Sequence, residues 1–453
     1  MGRERYGAVP KLTSALYAHL TRQGEWANQN VCLVLSGQRG SGKTSTALCA
    51  FENKKCFYFS FRGLCSESAR KVLCAALSAQ GIPSGADCWN DLFAGLDLLA
   101  KTRRIFIFDD LEEMMLEKDF AGAFQAYVND PRRRRVFIVC IHTTGKDLSA
   151  LNLTCREVKT TYLSIAAMKK AHPNRTGTEL VELFTLSGGI PHIANEFQDE
   201  LGIGDNLKRL LTEQSAFVRF AWEVLAFHYR RPETYAFILY ALALGNGRIS
   251  EIGKLTGYPY NKCDKYIKSL IEIGLVKSEQ RDGKSVYTIV NSYVETWFRY
   301  LFPNRWQLGS TLFIVTRLEG MLNEIREELV PTTFTAACFA ALRKKMSLDL
   351  PVQLQRLMCY DPFAVQMPDG EYVFDCAKRH KGKAVFVKIF HEEALTVGKE
   401  EFEKLEAAVI RCHPYPDSCI YLFAKRRFSD WLVHEASFGT VKLFNLDRLR
   451  FRE

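Results

Sequence analysis

A glycine-rich loop between a predicted strand and a predicted helix constrains this chain more than any other feature. The apolar run Val31–Ser36 predicts a short buried strand, and Ser45–Phe51 predicts the start of a helix. Between them stands Gly37–Thr44, which fits the pattern Gly-x4-Gly-Lys-Thr in its required context of strand, loop and helix. Glycines let main-chain N–H groups face a phosphate, and a helix N-terminus adds positive potential. The segment therefore predicts a phosphate-binding loop in an α/β fold.

Single residues of this loop have predicted roles. Lys43 is expected to reach the β- and γ-phosphates of a nucleotide, and Thr44 is expected to bind Mg²⁺ through its hydroxyl. ATP and Mg²⁺ are therefore the expected cofactors. The other predicted nucleotide contacts follow the loop in order: Gly37, Gln38, Arg39, Gly40, Ser41, Gly42 and Ser45.

Two acidic residues end a second apolar run. The run from 104 to 108 predicts a strand buried on both faces of a parallel sheet, and Asp109-Asp110 follows it. The carboxyl ends of such strands are where open α/β sheets bind ligands. We assign Asp109 to Mg²⁺ through a water molecule, and Asp110 to orienting or deprotonating the attacking water. Because Asp110 is shorter than a glutamate, slow hydrolysis is expected.

A third apolar strand, from 135 to 141, ends in His142-Thr143-Thr144. Polar residues there are expected beside the γ-phosphate, so His142 is a candidate for sensing it; the alternative is a strand that runs into a threonine-rich turn. The run Arg132–Arg135 precedes this strand and offers a candidate arginine finger for a neighbour's nucleotide. A solvated basic turn is the simpler interpretation of that run.

Residues 226–305 form a basic stretch. They hold 12 lysines and arginines against 7 acidic residues, in a chain whose formal net charge is +10. Helical patterns at 235–244, 251–255 and 261–273, with Ser250 and Asn261 as predicted caps, precede two strands joined by Asp282-Gly283. Three helices and a hairpin predict a winged helix-turn-helix. Its candidate DNA contacts are Lys262, Lys265 and Lys268 on the third helix, and Arg281 and Lys284 on the hairpin. The alternative is a solvated basic face on a domain used for packing.

The order of these motifs resembles the archaeal-type ATPases of the P-loop class, relatives of the AAA+ and signal-transduction ATPases. The resemblance rests on the loop, the Asp109-Asp110 strand, the strand ending at His142, and Gly188-Gly189-Ile190-Pro191. It implies that Pro191 contacts the nucleotide near the adenine. It also implies a winged helix after the ATPase. The family usually shows Asp-Glu at Asp109-Asp110 and Gly-Ser at Ile141-His142, and both departures bear on the rate of hydrolysis.

The last region, from about residue 306, predicts an α+β domain. It resembles the C-terminal domain fused to such ATPases, which is similar to restriction-endonuclease-like folds that use Asp and Glu-x-Lys to hold Mg²⁺. Asp375 and Lys388 fit that pattern, but Phe386 stands where the glutamate belongs. A phenylalanine cannot bind a metal, so a degenerate binding module is expected. Substitute acids in principle are Asp361, Glu371 and Glu324.

Length and composition complete the expectations. A chain of 453 residues predicts two to four domains. We place a P-loop ATPase domain with a helical lid at 1–225, a winged helix at 226–305 and a nuclease-like α+β domain at 306–453. The sequence shows no signal peptide and no membrane span, and its 14 cysteines include no Cys-x-x-Cys pair. A cytoplasmic protein with reduced thiols is therefore expected.

Three functions follow from these features. The favoured one is an ATP-dependent switch that hydrolyses ATP slowly and controls how the winged and C-terminal modules engage a partner. The second is a DNA-binding regulator in which ATP is structural, because positive charge permits a nucleic-acid partner. The third is a Mg²⁺-dependent nuclease built on Asp375 and Lys388. Candidate partners are thus ATP, duplex DNA and a protein bound by the C-terminal domain. Either a monomer or an oligomer is compatible with the sequence, and no membrane partner is expected.

Overall fold

A computed structural model describes most of the chain, and the structural statements below concern those residues. They are 31–51, 55–83, 85, 87–101, 105–114, 117–130, 137–143, 155–211, 215–281, 283–345, 353–354, 358–392, 396–412, 418–425 and 427–445. Three predicted features lie outside the described residues: Arg132–Arg135, Thr144 and Asp282.

The helices and strands are numbered here in chain order within the described residues. The strands are β1 (Val31–Gly37), β2 (Cys56–Ser60), β3 (Ile105–Asp109), β4 (Phe137–Thr143), β5 (Arg156–Thr160), β6 (Val276–Arg281), β7 (Lys284–Ile289), β8 (Phe363–Met367), β9 (Gly370–Phe374), β10 (Cys376–His380), β11 (Lys383–Phe390), β12 (Ser418–Ala424) and β13 (Val441–Asn445). The α-helices are α1 (Lys43–Ala50), α2 (Ser66–Ser78), α3 (Trp89–Leu99), α4 (Lys118–Asn129), α5 (Ile165–Ala171), α6 (Gly177–Ser187), α7 (Pro191–Ala194), α8 (Ile203–Leu210), α9 (Ala216–His228), α10 (Pro232–Ala243), α11 (Ile249–Thr256), α12 (Tyr260–Glu272), α13 (Ser292–Thr296), α14 (Thr311–Thr316), α15 (Leu318–Glu324), α16 (Val330–Lys345), α17 (Lys399–Cys412) and α18 (Asp430–Glu435).

The chain divides into two compact units that interleave along the sequence. Unit 1 comprises residues up to 163 together with 190–196 and 219–299. Unit 2 comprises residues 164–189, 197–218 and 300 onward. The predicted boundaries at 225 and 305 are a separate, sequence-based division and stay a prediction. The described helices include none that is long and apolar enough to span a bilayer.

A five-stranded parallel sheet organises unit 1, in the order β2-β3-β4-β1-β5. Neighbouring residues of β1 point to opposite faces, and both faces are buried. Cys32 and Val34 join one core with the aromatic side chains of α3 and α4, while Leu33 and Leu35 join the other with Phe51 of the segment after α1. Burial on both faces explains the continuous apolar runs of these strands. The predicted parallel α/β sheet is confirmed.

A helix–hairpin segment, residues 232–296, follows in unit 1. Helices α10, α11 and α12 precede the antiparallel pair β6 and β7. Two predicted caps are wrong: α11 is capped by Arg248, whose N–H donates to Glu251 Oε2, and α12 begins after Pro259. Both helices start before the predicted residue. Gly274 ends α12 with φ of 76°, a left-handed conformation in which a side chain is strained.

Unit 2 contains a four-stranded sheet in the order β10-β11-β12-β13 and a separate hairpin of β8 and β9. Strands β11, β12 and β13 run parallel, and β10 is antiparallel to β11. The core between this sheet and its helices includes Phe386, Leu405 and Leu422. Residues 371–377 span the end of β9 and the start of β10, which belong to different sheets, with Asp375 between them.

Candidate functional site

The phosphate loop joins β1, which lies between β4 and β5, to α1 at the carboxyl edge of the unit 1 sheet. Helix α1 starts at Lys43, and its N-cap, Gly42, has φ of 83°. Gly40 is held closely: a Cβ built there would lie 2.5 Å from a Phe220 ring carbon and 3.0 Å from a methyl of Ile190. A real Cβ does not tolerate such distances, so the loop can take this path only with glycine at position 40.

Lys43 lies inside this loop. Its side chain is buried, and Nζ donates to the carbonyl oxygens of Gly37 at 2.9 Å and Gln38 at 3.0 Å. Burial lowers the pKa of Lys43, and the charges of Glu112, Asp109 and Asp110 oppose that shift. The amine is thus enclosed by main-chain carbonyls at the position where the motif places its contact with phosphate.

Asp109 ends β3 and accepts hydrogen bonds from two hydroxyls. Thr44 Oγ1 donates to Oδ2 at 2.6 Å, and Tyr58 Oη donates to the same oxygen at 3.0 Å. The N–H of Asp110 donates to Oδ1 at 2.9 Å. Burial raises the pKa of Asp109, and the hydroxyl of Thr44 lowers it. Two residues predicted to serve Mg²⁺, Thr44 and Asp109, therefore lie in direct contact.

This pair fits Mg²⁺ as one part of a coordination sphere. A threonine hydroxyl and a carboxylate are hard oxygen donors, and Mg²⁺ in nucleotide sites takes one or two protein oxygens beside phosphates and water. No group of three or more His, Cys, Asp or Glu residues able to hold a metal occurs among the described residues.

Asp110 follows directly and turns toward β2. Its backbone has φ of 53°, which is unusual for a residue other than glycine. Ser60 Oγ, at the end of β2, donates to Asp110 Oδ2 at 2.8 Å. In the sheet order, β2 is the edge strand on the far side of β3 from β1. The predicted role of Asp110 toward water stays a prediction.

Glu112 is a site residue that our reading of the sequence missed. It lies on a 3₁₀ turn after β3 and is only 6% exposed. The N–H of Thr143, the last residue of β4, donates to Glu112 Oε1 at 3.0 Å. Burial raises the pKa of Glu112. The acidic run from Asp109 to Glu113 was the available signal, but the run does not show which of its members turns back toward the loop.

His142 lies on β4 directly beside the loop strand. It is buried, its register partner on β1 is Ser36, and its Nδ1 lies 3.2 Å from the carbonyl oxygen of Thr143. Its predicted role as a sensor of the γ-phosphate stays a prediction. Ser45, a further predicted contact, is exposed on the first turn of α1.

A pocket opens beside the loop within unit 1. Tyr162 Oη donates to the carbonyl oxygen of Arg39 at 3.0 Å, and the Arg39 guanidinium lies 4.8 Å from the centre of the Phe227 ring. The pocket is largely apolar with a few polar groups, as ligand pockets usually are. Its wall comes from the loop, from α9 and from the helix–hairpin segment: Gln38, Arg39, Thr143, Tyr162, Ile190, Phe220, Ala221, Val224, His228, Ile273, Leu275, Val294 and Phe298.

Pro191, the predicted adenine contact, borders the loop at the start of α7. A Cβ on Gly42 would lie 4.0 Å from Pro191 Cγ. Its neighbour Ile190 lines the pocket. The turn predicted as a helix break is thus beside the phosphate loop, although contact with a nucleotide stays a prediction.

One hydrogen bond joins the phosphate loop to the helix–hairpin segment. Gln38 Nε2 donates to the carbonyl oxygen of Gly274 at 3.2 Å, directly after α12. The contact is close, because a Cβ on Gly274 would lie 2.7 Å from that nitrogen. Ile273 and Leu275, on either side of Gly274, line the pocket. A change in the loop at Gln38 therefore has a direct contact through which to act on the end of α12.

The lysines predicted to contact DNA have different surroundings on α12. Lys268 pairs with Asp264 at 2.7 Å, and Lys262 Nζ lies 3.9 Å from the centre of the Tyr258 ring. Lys265 is exposed, as is Lys284 on the hairpin. Arg281 and Lys284 are register partners on the antiparallel strands β6 and β7. The structure places these residues on one helix and one hairpin, and DNA binding stays a prediction.

The candidate nuclease residues in unit 2 are engaged in structural contacts. Asp375 Oδ2 accepts from the N–H of Ile389 at 2.7 Å, and Lys388 Nζ donates to the carbonyl oxygen of Val373 at 2.7 Å. Phe386 is 1% exposed and its ring lies 4.9 Å from that of Phe374.

Of the three substitute acids, Asp361 lies beside Asp375, since its N–H donates to the Asp375 carbonyl oxygen at 3.0 Å, but its carboxylate is engaged elsewhere. Asp361 pairs with Lys378, and Glu371 accepts from Gln366 Nε2 at 3.2 Å on the hairpin. Glu324 is exposed at the end of α15. Within the described part of unit 2, the acids named by the sequence therefore form no metal cluster.

Comparison with known proteins gives remote similarities. The chain is 24% identical over 311 residues to an uncharacterised protein of Methanocaldococcus jannaschii, covering 64% of this chain and 69% of that protein. A Walker-type ATPase of Pyrococcus abyssi is 17% identical with a TM-score of 0.46, covering 65% of this chain and 95% of the other. A signal transduction ATPase of Pyrococcus horikoshii with a tetratricopeptide-repeat sensor is 15% identical with a TM-score of 0.29, covering 76% of this chain and 56% of the other. No protein-family profile matches the chain.

The class of the nucleotide unit rests on the geometry of this chain. A parallel sheet in which an interior strand, β1, runs through a glycine-rich loop into a helix, with an aspartate at the end of β3, is a P-loop α/β fold.

Proposed function

We propose that this protein binds Mg-ATP, hydrolyses it slowly, and uses the nucleotide state to control its helix–hairpin segment and C-terminal domain. The observation that carries the proposal is the convergence at one sheet edge of a buried lysine, a threonine hydroxyl and an aspartate. Lys43 lies in the loop, and Thr44 contacts Asp109 at 2.6 Å. These are the groups that a nucleoside triphosphate with Mg²⁺ needs.

The loop residues divide the work of binding. Main-chain N–H groups of the loop and the N-terminus of α1 hold the phosphate oxygens. Lys43 exchanges its hydrogen bonds to the carbonyl oxygens of Gly37 and Gln38 for bonds to the β- and γ-phosphates. Bound Mg²⁺ supplies charge neutralisation on those phosphates, and Thr44 and Asp109 are the residues that would hold it. Asp109 keeps the Thr44 hydroxyl oriented before the nucleotide arrives.

The switch part of the proposal rests on the contact between Gln38 and Gly274. When Lys43 leaves the carbonyl of Gln38, the backbone of Gln38 loses a partner, and the side chain of Gln38 is the one that holds the end of α12. Ile273 and Leu275 of the helix–hairpin segment also line the pocket beside the loop, where we propose that the nucleotide base binds. Nucleotide binding thereby biases the orientation of α12, which we propose is the recognition helix of a winged helix-turn-helix.

ATP titration by calorimetry tests the binding proposal. Lys43→Ala removes the ammonium that meets two phosphates, and we expect an affinity loss of about 100-fold or more. The matched control is Lys388→Ala in unit 2, a lysine that also donates to a main-chain carbonyl. We expect wild-type affinity in the control. Unchanged ATP affinity in Lys43→Ala contradicts the proposal.

Duplex DNA binding tests the switch. Fluorescence anisotropy with a labelled duplex gives the affinity with Mg-ATP and without nucleotide, and the ratio of the two measures the coupling. Gln38→Ala deletes the hydrogen bond to Gly274, so we expect this ratio to fall toward one, with ATP affinity measured in parallel. A ratio that keeps its wild-type value in the variant removes Gln38 as the link.

A DNA-binding regulator with structural ATP is the second candidate, favoured by the exposed lysines on α12 and the hairpin. It predicts duplex affinity that is independent of nucleotide and falls steeply with salt. Lys265→Ala is expected to lower the slope of log affinity against log salt by about one. A flat salt dependence counts against any duplex contact by these lysines.

A further inference from the structure

We infer that Glu112, rather than Asp110, is the carboxylate that receives the proton of the attacking water. The inference rests on the proposed function, since it concerns ATP hydrolysis at the same site. It deepens that function by assigning the reacting carboxylate to a residue outside the Asp109-Asp110 pair.

Strand order separates the two acids. Asp110 accepts from Ser60 at the end of β2, which is the edge strand two places further from β1 than β4 is. Glu112 accepts from the N–H of Thr143 at the end of β4, which lies directly beside β1. Thr143 is the register partner of Gly37, the first residue of the phosphate loop. Glu112 is therefore fixed on the loop side of β3, and Asp110 on the opposite side.

The second carboxylate oxygen of Glu112 has no hydrogen-bond partner among the described residues. Oε2 is buried, and the whole residue is only 6% exposed. A buried carboxylate oxygen without a donor is costly, so such an oxygen usually serves a ligand or a water molecule. Asp110 is more exposed than Glu112, and its Oδ2 accepts from Ser60 Oγ at 2.8 Å.

Electrostatics place Glu112 close to the loop lysine. Burial lowers the pKa of Lys43, and the charge of Glu112 counters that shift more than the charge of Asp109 or Asp110 does. The charge of Glu112 therefore acts on the side chain that we propose meets the phosphates. Burial also raises the pKa of Glu112 itself, which suits a group that must accept a proton.

The proposed step is hydrolysis of the bond between the γ-phosphorus of ATP and its bridging oxygen. The oxygen of a water molecule bonds to the γ-phosphorus of ATP, while the bond from that phosphorus to the oxygen bridging the β-phosphate breaks. The electron pair of that bond leaves with ADP. One water proton moves to Glu112 Oε2, and Glu112 returns it to solvent after inorganic phosphate departs. Thr143 N–H holds Oε1 throughout, so that Oε2 stays directed at the water.

Three single variants of full-length protein test the inference. Glu112→Gln keeps the shape and an acceptor for Thr143, and we expect ATP turnover to fall about 100-fold or more, with ATP affinity within a few-fold of wild type. Acid quench should then recover the bound nucleotide as intact ATP. Glu113→Gln, on the same turn and partly exposed, is the matched control and should turn over at the wild-type rate. Asp110→Asn should lose less turnover than Glu112→Gln.

Thermal melting without nucleotide tests Glu112 even in a variant that binds ATP poorly. The pKa of Glu112 is raised in the folded protein, so its contribution to stability is complete below its unfolded pKa and is lost as pH rises through the folded value. Wild-type melting temperature should therefore decline over that rise in pH, and Glu112→Gln should flatten the decline. If the glutamine variant does not fold, Glu112→Asp, which keeps the carboxylate, replaces it in the turnover assay and should lose rate through its shorter reach.

Each outcome decides between the inference and the proposed function. Absence of ATP binding in wild type overturns the proposed function itself. ATP binding with wild-type turnover in Glu112→Gln overturns only the inference, whereas ATP binding by wild type without any hydrolysis overturns both the inference and the hydrolysis part of the proposed function. Complete loss of turnover in Asp110→Asn together with full activity in Glu112→Gln returns the role to Asp110.

Discussion

Two strand ends in this protein carry an aspartate with a lysine nearby, one in each unit. At the end of β3, Asp109 accepts hydrogen bonds from the side-chain hydroxyls of Thr44 and Tyr58. At the break between β9 and β10, Asp375 accepts from the main-chain N–H of Ile389. A hydroxyl can exchange its partner for a metal or a phosphate, whereas a backbone N–H of a neighbouring strand holds the sheet together. The same residue type is therefore held by exchangeable hydroxyls in one place and by a main-chain N–H in the other.

A further residue beside each aspartate also differs between the two units. Beside Asp109 the chain buries Glu112, with one carboxylate oxygen held by Thr143. Beside Asp375 the corresponding position toward the lysine is Phe386, which belongs to the apolar core of unit 2. A buried acid must be compensated by a partner, while a buried phenylalanine stabilises by burial alone. The comparison teaches that the chemistry of a site depends on groups whose bonding capacity the fold does not already use.

Parallel substitution of the two aspartates should give the largest difference. Asp109→Asn removes a charge that orients Thr44 and stabilises Mg²⁺, and we expect Mg-ATP affinity to fall about 10- to 100-fold. Asp375→Asn should leave that affinity at the wild-type value. Calorimetry with and without Mg²⁺ measures both. An equal loss in the two variants would break the comparison.

A pair of glycines sharpens the comparison at the level of the backbone. Gly40 in the loop has φ of 78° and Gly382 in unit 2 has φ of 81°, but only Gly40 has a neighbour, Phe220, where a Cβ would go. Alanine at either site should lower the free energy of unfolding by about 1–2 kcal/mol, because a side chain is strained in the left-handed conformation. Gly40→Ala should lose a further 1–3 kcal/mol, roughly, through overpacking against Phe220.

Urea unfolding of the two alanine variants, followed separately by fluorescence and by hydrogen exchange in each unit, measures this difference. Similar losses in both variants would show that Phe220 moves aside at little cost. In that case the close fit of the loop does not restrict position 40 to glycine.

The smallest expected effect concerns pH and has opposite signs for His391 in unit 2 and Glu112 in unit 1. In unit 2, burial and the charges of Lys425 and Lys388 lower the pKa of His391 to about 4. Its contribution to stability is complete above the unfolded pKa of about 6.5 and is lost as pH falls toward 4. His391→Gln should flatten the acid limb of unit 2 unfolding, measured by thermal melts over that range. Glu112 in unit 1 works in the opposite direction, since its stability contribution is lost as pH rises. An unchanged acid limb in His391→Gln would contradict the assignment to this histidine.

Much of the fold could be predicted because it depends on local patterns. The apolar runs that became β1, β3 and β4 report burial on both faces of a sheet, and the motif around Lys43 reports a turn that few other sequences can make. Helix starts were less predictable. The caps expected at Ser250 and Asn261 fall inside helices, because Arg248 with Glu251 and Pro259 supply starts that precede them.

The candidate site could be predicted only where its residues belong to a local motif or directly follow an apolar strand pattern. Lys43, Thr44 and Asp109 followed from motif and strand pattern. The role of Glu112 did not, because its position depends on a contact with Thr143, 31 residues further along the chain. The bond from Gln38 to Gly274 spans 236 residues and has no sequence signal that we recognise.

The amino-acid sequence by itself determined the phosphate loop, the parallel strands around it and the apolar side chain at Phe386. These are properties of backbone freedom, side-chain size and charge that each residue carries wherever it lies. The tertiary structure alone decided which acids face the loop and which lysines and aspartates are already engaged. Those outcomes depend on strand order and on distances between residues far apart in the chain, which pairing and burial set only when the whole unit has folded.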